Sequence, residues 1–274
     1  MKLRFLVLAA WLAAGPALAQ GFDHSHRAWD ALVKKHVVLI SGGKASQTNY
    51  AGMAQDRAAL KAYLESLSKV TEAEFNSWTK AQRMAFLINA YNAFTVEKIL
   101  TRYPGIRSIW EFGKLFGNPF KDPFFSLFGR KFSLDAIEHD TLRKPGAYDE
   151  PRVHYAVNCA SIGCPMLREE AYVAERLEAQ LEQQAQRFLS DQTRNRYANG
   201  RLEVSMIFSW FKEDWSSGYR GFEGKTAPIL TREQYFGRYA MLLAGDPEHQ
   251  KLLAEGKAPI SHVEYDWTLN DVSK

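Results

Sequence analysis

The sequence predicts a single α+β domain: helices packed on a small, mostly antiparallel sheet. Three observations carry this. Apolar residues recur at helical spacing in some stretches, as at Leu60, Leu64 and Leu67. Other stretches alternate with period two and are bounded by turn residues, as before and after Asn199-Gly200. No stretch rich in Pro, Gly or Ser cuts the chain, and no internal repeat divides it. Separate helical and alternating runs around one core define the α+β class.

The elements follow in order. Residues 1–19 read as a signal peptide and residues 20–50 as an irregular N-terminal segment, leaving residues 51–274 as one globular domain. Within residues 20–50, the run Val37–Ile40 precedes a Ser-Gly-Gly turn, and His24 and His26 lie in a polar, solvated start. Asp56–Leu67 reads as a helix. Thr71 with Glu74, and Thr79 with Gln82, have capping-box spacing. The second opens the strongest helix, Lys80–Tyr103, which Pro104-Gly105 stops. Phe124–Phe128 and Lys131–Leu134 flank Gly129-Arg130 as a hairpin. Ser133 caps a short helix, Leu134–Arg143. Arg152–Val157 alternates as a strand, and Glu169–Leu189 has the stripe Leu177, Leu181, Ala185, Phe188 of a second long helix. Asn199-Gly200 turns into a strand through Leu202, Val204, Met206 and Phe208. Thr231 with Gln234 starts a helix to Leu243, and His262–Leu269 closes the fold as a strand.

The start of the chain suggests its compartment. Lys2 and Arg4 precede the apolar run Phe5–Ala14, Gly15-Pro16 breaks it, and Ala17-Leu18-Ala19 is a small-x-small cleavage pattern. This is the build of a secretory leader, so the protein is expected to be exported, periplasmic or secreted, with no membrane span after cleavage. Hydrophobic residues make up 46% and charged ones 24%, which suffices for a substantial core. The net charge is +4, of which the leader supplies Lys2 and Arg4, and so weak a surplus argues against nucleic acid as a partner.

Both cysteines fall within one short segment, His154–Pro165. Cys159 and Cys164 admit three readings. In an oxidising compartment they can form a local disulfide, since four intervening residues that include Gly163 allow the required approach. Cys159 can instead be a nucleophile, which needs a lowered pKa and a base within reach. His139 and His154 are the candidate bases, and Asn158 the residue that orients one. If the strand ran through Cys159, His154 and Cys159 would face opposite ways, which favours His139 as the base. Cys159, Cys164, His139 and His154 also form a Cys2His2 set, but the histidine spacing does not suit zinc, and no metal or cofactor is expected.

Asn89 and Asn92 sit three apart inside the apolar helix, where Asn is a poor interior residue. They are either amides reaching a cleft or buried amides bonding loop backbone. Glu138 stands beside His139, and Arg152 and Arg143 can hold an anionic group. Trp210-Phe211, Trp215 and Tyr219 form either a binding platform or part of the core.

Four motifs in sequence order resemble one family. They are Ala85-Phe-Leu-Ile-Asn-Ala-Tyr-Asn-Ala93, Ser133-Leu-Asp-Ala-Ile-Glu-His139, Pro151-Arg-Val-His-Tyr-Ala-Val-Asn-Cys-Ala-Ser161 with Gly163-Cys-Pro165, and Tyr265-Asp-Trp-Thr-Leu-Asn270. Together they resemble the domain-of-unknown-function family 547 over roughly residues 50–270. The resemblance implies no established catalytic role, but its bacterial members are commonly exported. A helix followed by a His-bearing strand is also similar to papain-like and transglutaminase-like cysteine enzymes, although there the nucleophile opens the helix. The expectation is a polar cleft holding Asn89, Asn92, Glu138, His139, Arg152, His154, Asn158 and Cys159. It serves either a thiol-dependent hydrolase or transferase acting on a peptide or acyl substrate, or a non-catalytic exported domain that binds a small molecule or peptide and is stapled by a Cys159–Cys164 disulfide.

Overall fold

A computed structural model describes residues 21–113 and 117–273; the signal-peptide reading of residues 1–19 lies outside them. Helix α1 (Arg27–His36) leads into a hairpin of β1 (Val37–Ile40) and β2 (Ala45–Thr48). Short helices α2 (Tyr50–Gln55), α3 (Arg57–Lys69) and α4 (Glu72–Ser77) precede the central helix α5 (Lys80–Leu100). The Thr79–Gln82 capping box is formed in full, and it satisfies backbone donors at the start of α5. Residues Met84–Val96 of α5 are buried without interruption, so other elements surround this helix.

Beyond α5, β3 (Phe125–Leu127) and β4 (Arg130–Phe132) form the expected hairpin. Helix α6 (Leu134–Ile137), capped by Ser133, runs into a π-helical turn, Glu138–Leu142. A 3-10 turn, Pro151–Tyr155, follows, then α7 (Leu177–Leu189). The last layer holds β5 (Arg196–Ala198), β6 (Arg201–Ser205), α8 (Ile207–Trp210), α9 (Arg232–Arg238), α10 (Ala240–Leu243), α11 (Pro247–Ala254) and β7 (Ile260–Val263). Strands β5 and β6 are antiparallel, while β7 joins β6 in parallel. The small, mostly antiparallel sheets of a single α+β domain are therefore present. A large apolar cluster surrounds α5, and a smaller one under β6 includes Phe188, Phe208 and Trp215.

Several expectations need correction. Residues 20–50 are not irregular: Trp29, Leu32, Val33 and His36 make a buried helical stripe on α1. In the same segment His26 is buried, and its Nδ1 lies 2.8 Å from the Tyr63 hydroxyl. Arg152–Val157 is not a strand. Pro151 begins a 3-10 turn, whose first free amide, Arg152 N, is taken by the Glu150 carboxylate at 3.0 Å. Alternation of apolar residues here reflects burial of the whole turn, and the strand-parity argument against His154 lapses with it. The strand beginning at Leu202 ends at Ser205 and gives way to α8, and the last strand is Ile260–Val263, not His262–Leu269.

Candidate functional site

Two asparagines of α5 set the backbone on which the site is built. Asn89 donates to Tyr172 O at 2.8 Å and accepts from Tyr172 N at 3.0 Å. Asn92 donates to Ala156 O at 2.9 Å and accepts from Asn158 N at 2.8 Å. Each amide thus pairs with loop backbone as a strand would, satisfying groups buried beside an apolar helix. Asn158 in turn donates to Pro165 O at 2.8 Å and accepts from Ala160 N at 2.9 Å. These bonds close the loop that carries both cysteines. The loop turns at Ala160, which takes a left-handed conformation with φ 62°.

A second segment seats this loop. Ile162 N donates to Thr268 O and Gly163 N to Asp266 O, both at 2.8 Å, and Asn270 N donates to Ala160 O at 3.2 Å. A side chain at Gly163 would place its Cβ 2.9 Å from Asp266 N and 3.0 Å from the Tyr265 ring, so glycine permits this close approach. The result brings Tyr265 to Cys159. The Cys159 Sγ lies 3.2 Å from the Tyr265 hydroxyl and 3.1 Å from Ser161 Oγ, and Ser161 Oγ lies 3.2 Å from Tyr265, closing a triangle. Cys159 N donates to Cys164 Sγ at 3.0 Å. Both cysteines are free, so the disulfide expectation is not met.

Electrostatics separates the two sulfurs. Burial pushes the Cys159 thiol up, but hydrogen bonds from Cys164, Ser161 and Tyr265 outweigh it, and the thiol falls below its ordinary range. Burial and the neighbouring Cys159 hold Cys164 well above that range. Burial and Cys159 do the same to the Tyr265 hydroxyl, which therefore stays protonated as a donor. Cys159 is the sulfur that ionises.

Cys159 lines a cavity of about 430 Å³. Titrating groups from two elements also line it, and a third element backs them with a carboxylate. The π-helical turn presents Glu138 and His139, the 3-10 turn presents His154, and the turn after α8 supplies Asp214. π-helical turns are frequent at functional sites because they re-aim side chains. Asp214 accepts from His154 Nε2 at 2.7 Å and from Arg143 Nε at 2.6 Å. Burial opposes ionisation of Asp214, yet these two donors hold it at about 2. His154 therefore gives its Nε2 proton to Asp214 and turns Nδ1 toward Glu138 Oε1, 3.8 Å away. Burial lowers His154 from its usual value despite Asp214. Burial also raises Glu138 above the ordinary carboxyl range, and Glu138 shares a hydrogen bond with Tyr91. Arg143 donates to His139 Nδ1 at 2.6 Å, which puts the His139 proton on Nε2, 3.6 Å from Asp135 Oδ1.

Five of the expected residues line the cavity: Glu138, His139, His154, Cys159 and Cys164. Asn89, Asn92 and Asn158 are spent on backbone and do not line it. Arg152 is bound by Glu150, Glu178 and Glu182 and is not a lining residue either. The Cys159 thiol bonds Ser161 and Tyr265, and both imidazoles bond other groups, so no cysteine–histidine hydrogen bond is formed. Sequence reasoning missed Asp214, which has no motif around it, and the part played by Tyr265, which the Tyr265–Asn270 motif contains.

The fold and cavity define an α+β protein with a depressed-pKa thiol facing a buried imidazole–carboxylate network. The stretch 75–189 matches the family model described as "Protein of unknown function, DUF547". It contains α5, the π-helical turn, both cysteines and α7, whereas Asp214, Trp210 and Tyr265 lie beyond it. No curated protein and no solved structure matches the chain.

Proposed function

We propose that the protein is an exported thiol-dependent hydrolase or transferase acting on a peptide or acyl substrate. The observation that carries this reading is the convergence of Ser161, Tyr265 and Cys164 on the Cys159 sulfur at the cavity wall. A lowered thiol in an accessible wall is the requirement for a nucleophile. The thiolate attacks the acyl carbon, a thioester bond forms, and the bond to the leaving group breaks. The leaving group takes its proton from the facing side of the cavity, where His139 carries an Nε2 proton and Glu138 is held toward its acid form. Water or an amine then attacks the thioester, gives its proton to the same side, and releases the Cys159 thiolate. His154 and Asp214 position Glu138 from behind.

Alkylation by iodoacetamide at pH 6.5, followed by peptide mapping, tests the nucleophile. Rapid modification of Cys159, retained in Cys164→Ser and absent in Cys159→Ser, is the expected result. A Cys159 that reacts no faster than an ordinary free thiol overturns it. An acyl adduct on Cys159 after exposure to an activated ester tests the covalent step separately.

A further inference from the structure

The cavity mouth has a chemical character that the thiol does not explain. Trp110, Trp210 and Trp267 form a continuous aromatic wall with Tyr265. The Trp110 and Trp267 rings meet edge-on at 5.2 Å, Trp210 and Trp267 stack at 5.7 Å, and Tyr265 contacts Trp267 at 4.5 Å. Trp110 and Trp210 remain 40% and 41% exposed, so apolar ring surface stands open at the cavity. Asp135 lines the same cavity, and among the described residues no Lys or Arg does. Arg143 is bound by Asp214 and sits over the Phe211 ring at 4.5 Å.

We infer that this wall is a subsite for an ammonium group on the substrate. An aromatic face in one cavity with a carboxylate attracts a cation, and the described lining residues, which include no Lys or Arg, give a carboxylate no counter-charge. A neutral polyhydroxylated ligand fits less well. It needs many hydrogen-bond partners, and here Tyr265, Glu138 and His139 are already engaged with neighbours. An ammonium asks for ring faces and one negative charge. The inference rests on the thiol reading only in that it places the cationic group next to the reacting acyl carbon.

Two arms keep the readings distinguishable. In Cys159→Ser, matched acetamides with trimethylammonium, lysine-amide, tert-butyl and carboxylate tails are titrated by tryptophan fluorescence, without any thiol chemistry. The cationic tails should bind about threefold to tenfold more tightly than the tert-butyl tail, and the carboxylate most weakly. The trimethylammonium and lysine-amide arms separate a quaternary headgroup from a primary amine side chain, and tighter binding of either supports the subsite. Asp135→Asn should remove most of that preference while leaving tert-butyl binding within about twofold, and Trp210→Ala should weaken binding of every tail, the cationic ones most. Equal binding of cationic and tert-butyl tails, preferred binding of the carboxylate, or tighter binding of a methyl glycoside overturns the subsite. In the full wild-type chain, chloroacetamides with the same tails read the order again as alkylation rates. Loss of all alkylation with the binding order intact fails the thiol reading and leaves the subsite standing.

Discussion

The two sides of the cavity solve opposite problems. On one side, hydroxyls and a second sulfur converge on one atom, Cys159 Sγ, and favour its charged form. On the other, Asp214, Arg143, His154, Glu138 and His139 bind one another, and burial keeps Glu138 and His154 toward their neutral forms. The first arrangement concentrates reactivity, whereas the second stores protons. The difference teaches that a buried ion network and a thiol of lowered pKa need different support. The network depends on mutual pairing in a low-dielectric site, the thiol on a few donors held by backbone register.

Breaking the network should cost most. Asp214→Ala leaves Arg143 and His154 buried without their shared carboxylate, a loss of about 3–5 kcal/mol in urea unfolding. Gly163→Ala attacks the other side through backbone. Its Cβ would meet Asp266 N at 2.9 Å, so the Tyr265 segment must retreat. We expect about 1–3 kcal/mol of destabilisation and slower Cys159 alkylation. Were stability to fall while alkylation stayed fast, Tyr265 would have no part in activating the thiol.

Acid titration separates the members of the network by pH. Asp214 falls from an ordinary 3.8 to about 2 on folding, so its contribution is present above pH 4 and lost as pH drops toward 2. The shift corresponds to about 2 kcal/mol, and the slope over this window should flatten in Asp214→Asn. His154, lowered by burial, acts in the same direction: its contribution is complete above its unfolded value of 6.5 and declines below it. Glu138 is raised and has the opposite sign, stabilising below its unfolded 4.5 and losing this as pH rises through its folded value. Glu138→Gln should therefore make the protein relatively more stable at pH 7 than at pH 4, read from urea midpoints at the two values. The smallest effect is expected for Tyr265→Phe. Stability should change by about 1 kcal/mol, while the pH midpoint of Cys159 alkylation moves upward. An unchanged midpoint would leave Ser161 and Cys164 as the sufficient donors.

Legibility in the sequence follows the range of the forces involved. The capping box at Thr79, the β3–β4 hairpin and the stripe on α7 rest on local geometry, and each is readable from neighbours a few residues apart. The cysteine loop and the Glu138-His139 pair stand out because their residue types are chemically unusual together. The stripe on α1 is equally local, but the polar residues that precede it mask it. Asp214 is different in kind. It reaches Arg143 from 71 positions away and His154 from 60, and nothing near it in the chain marks it. The asparagines of α5 were noticed, yet only the fold decides that they hold backbone and do not face the cavity.

The bond between Tyr265 and Cys159 has a temporal consequence. These residues are 106 positions apart. While a chain is being synthesised, Cys159 therefore emerges long before Tyr265 can reach it. Through that interval the sulfur lacks its tyrosine donor and its pKa lies closer to that of any free thiol. The order of residues along the chain thus delays the full lowering of the Cys159 pKa until the segment around Gly163 and Asp266 has closed.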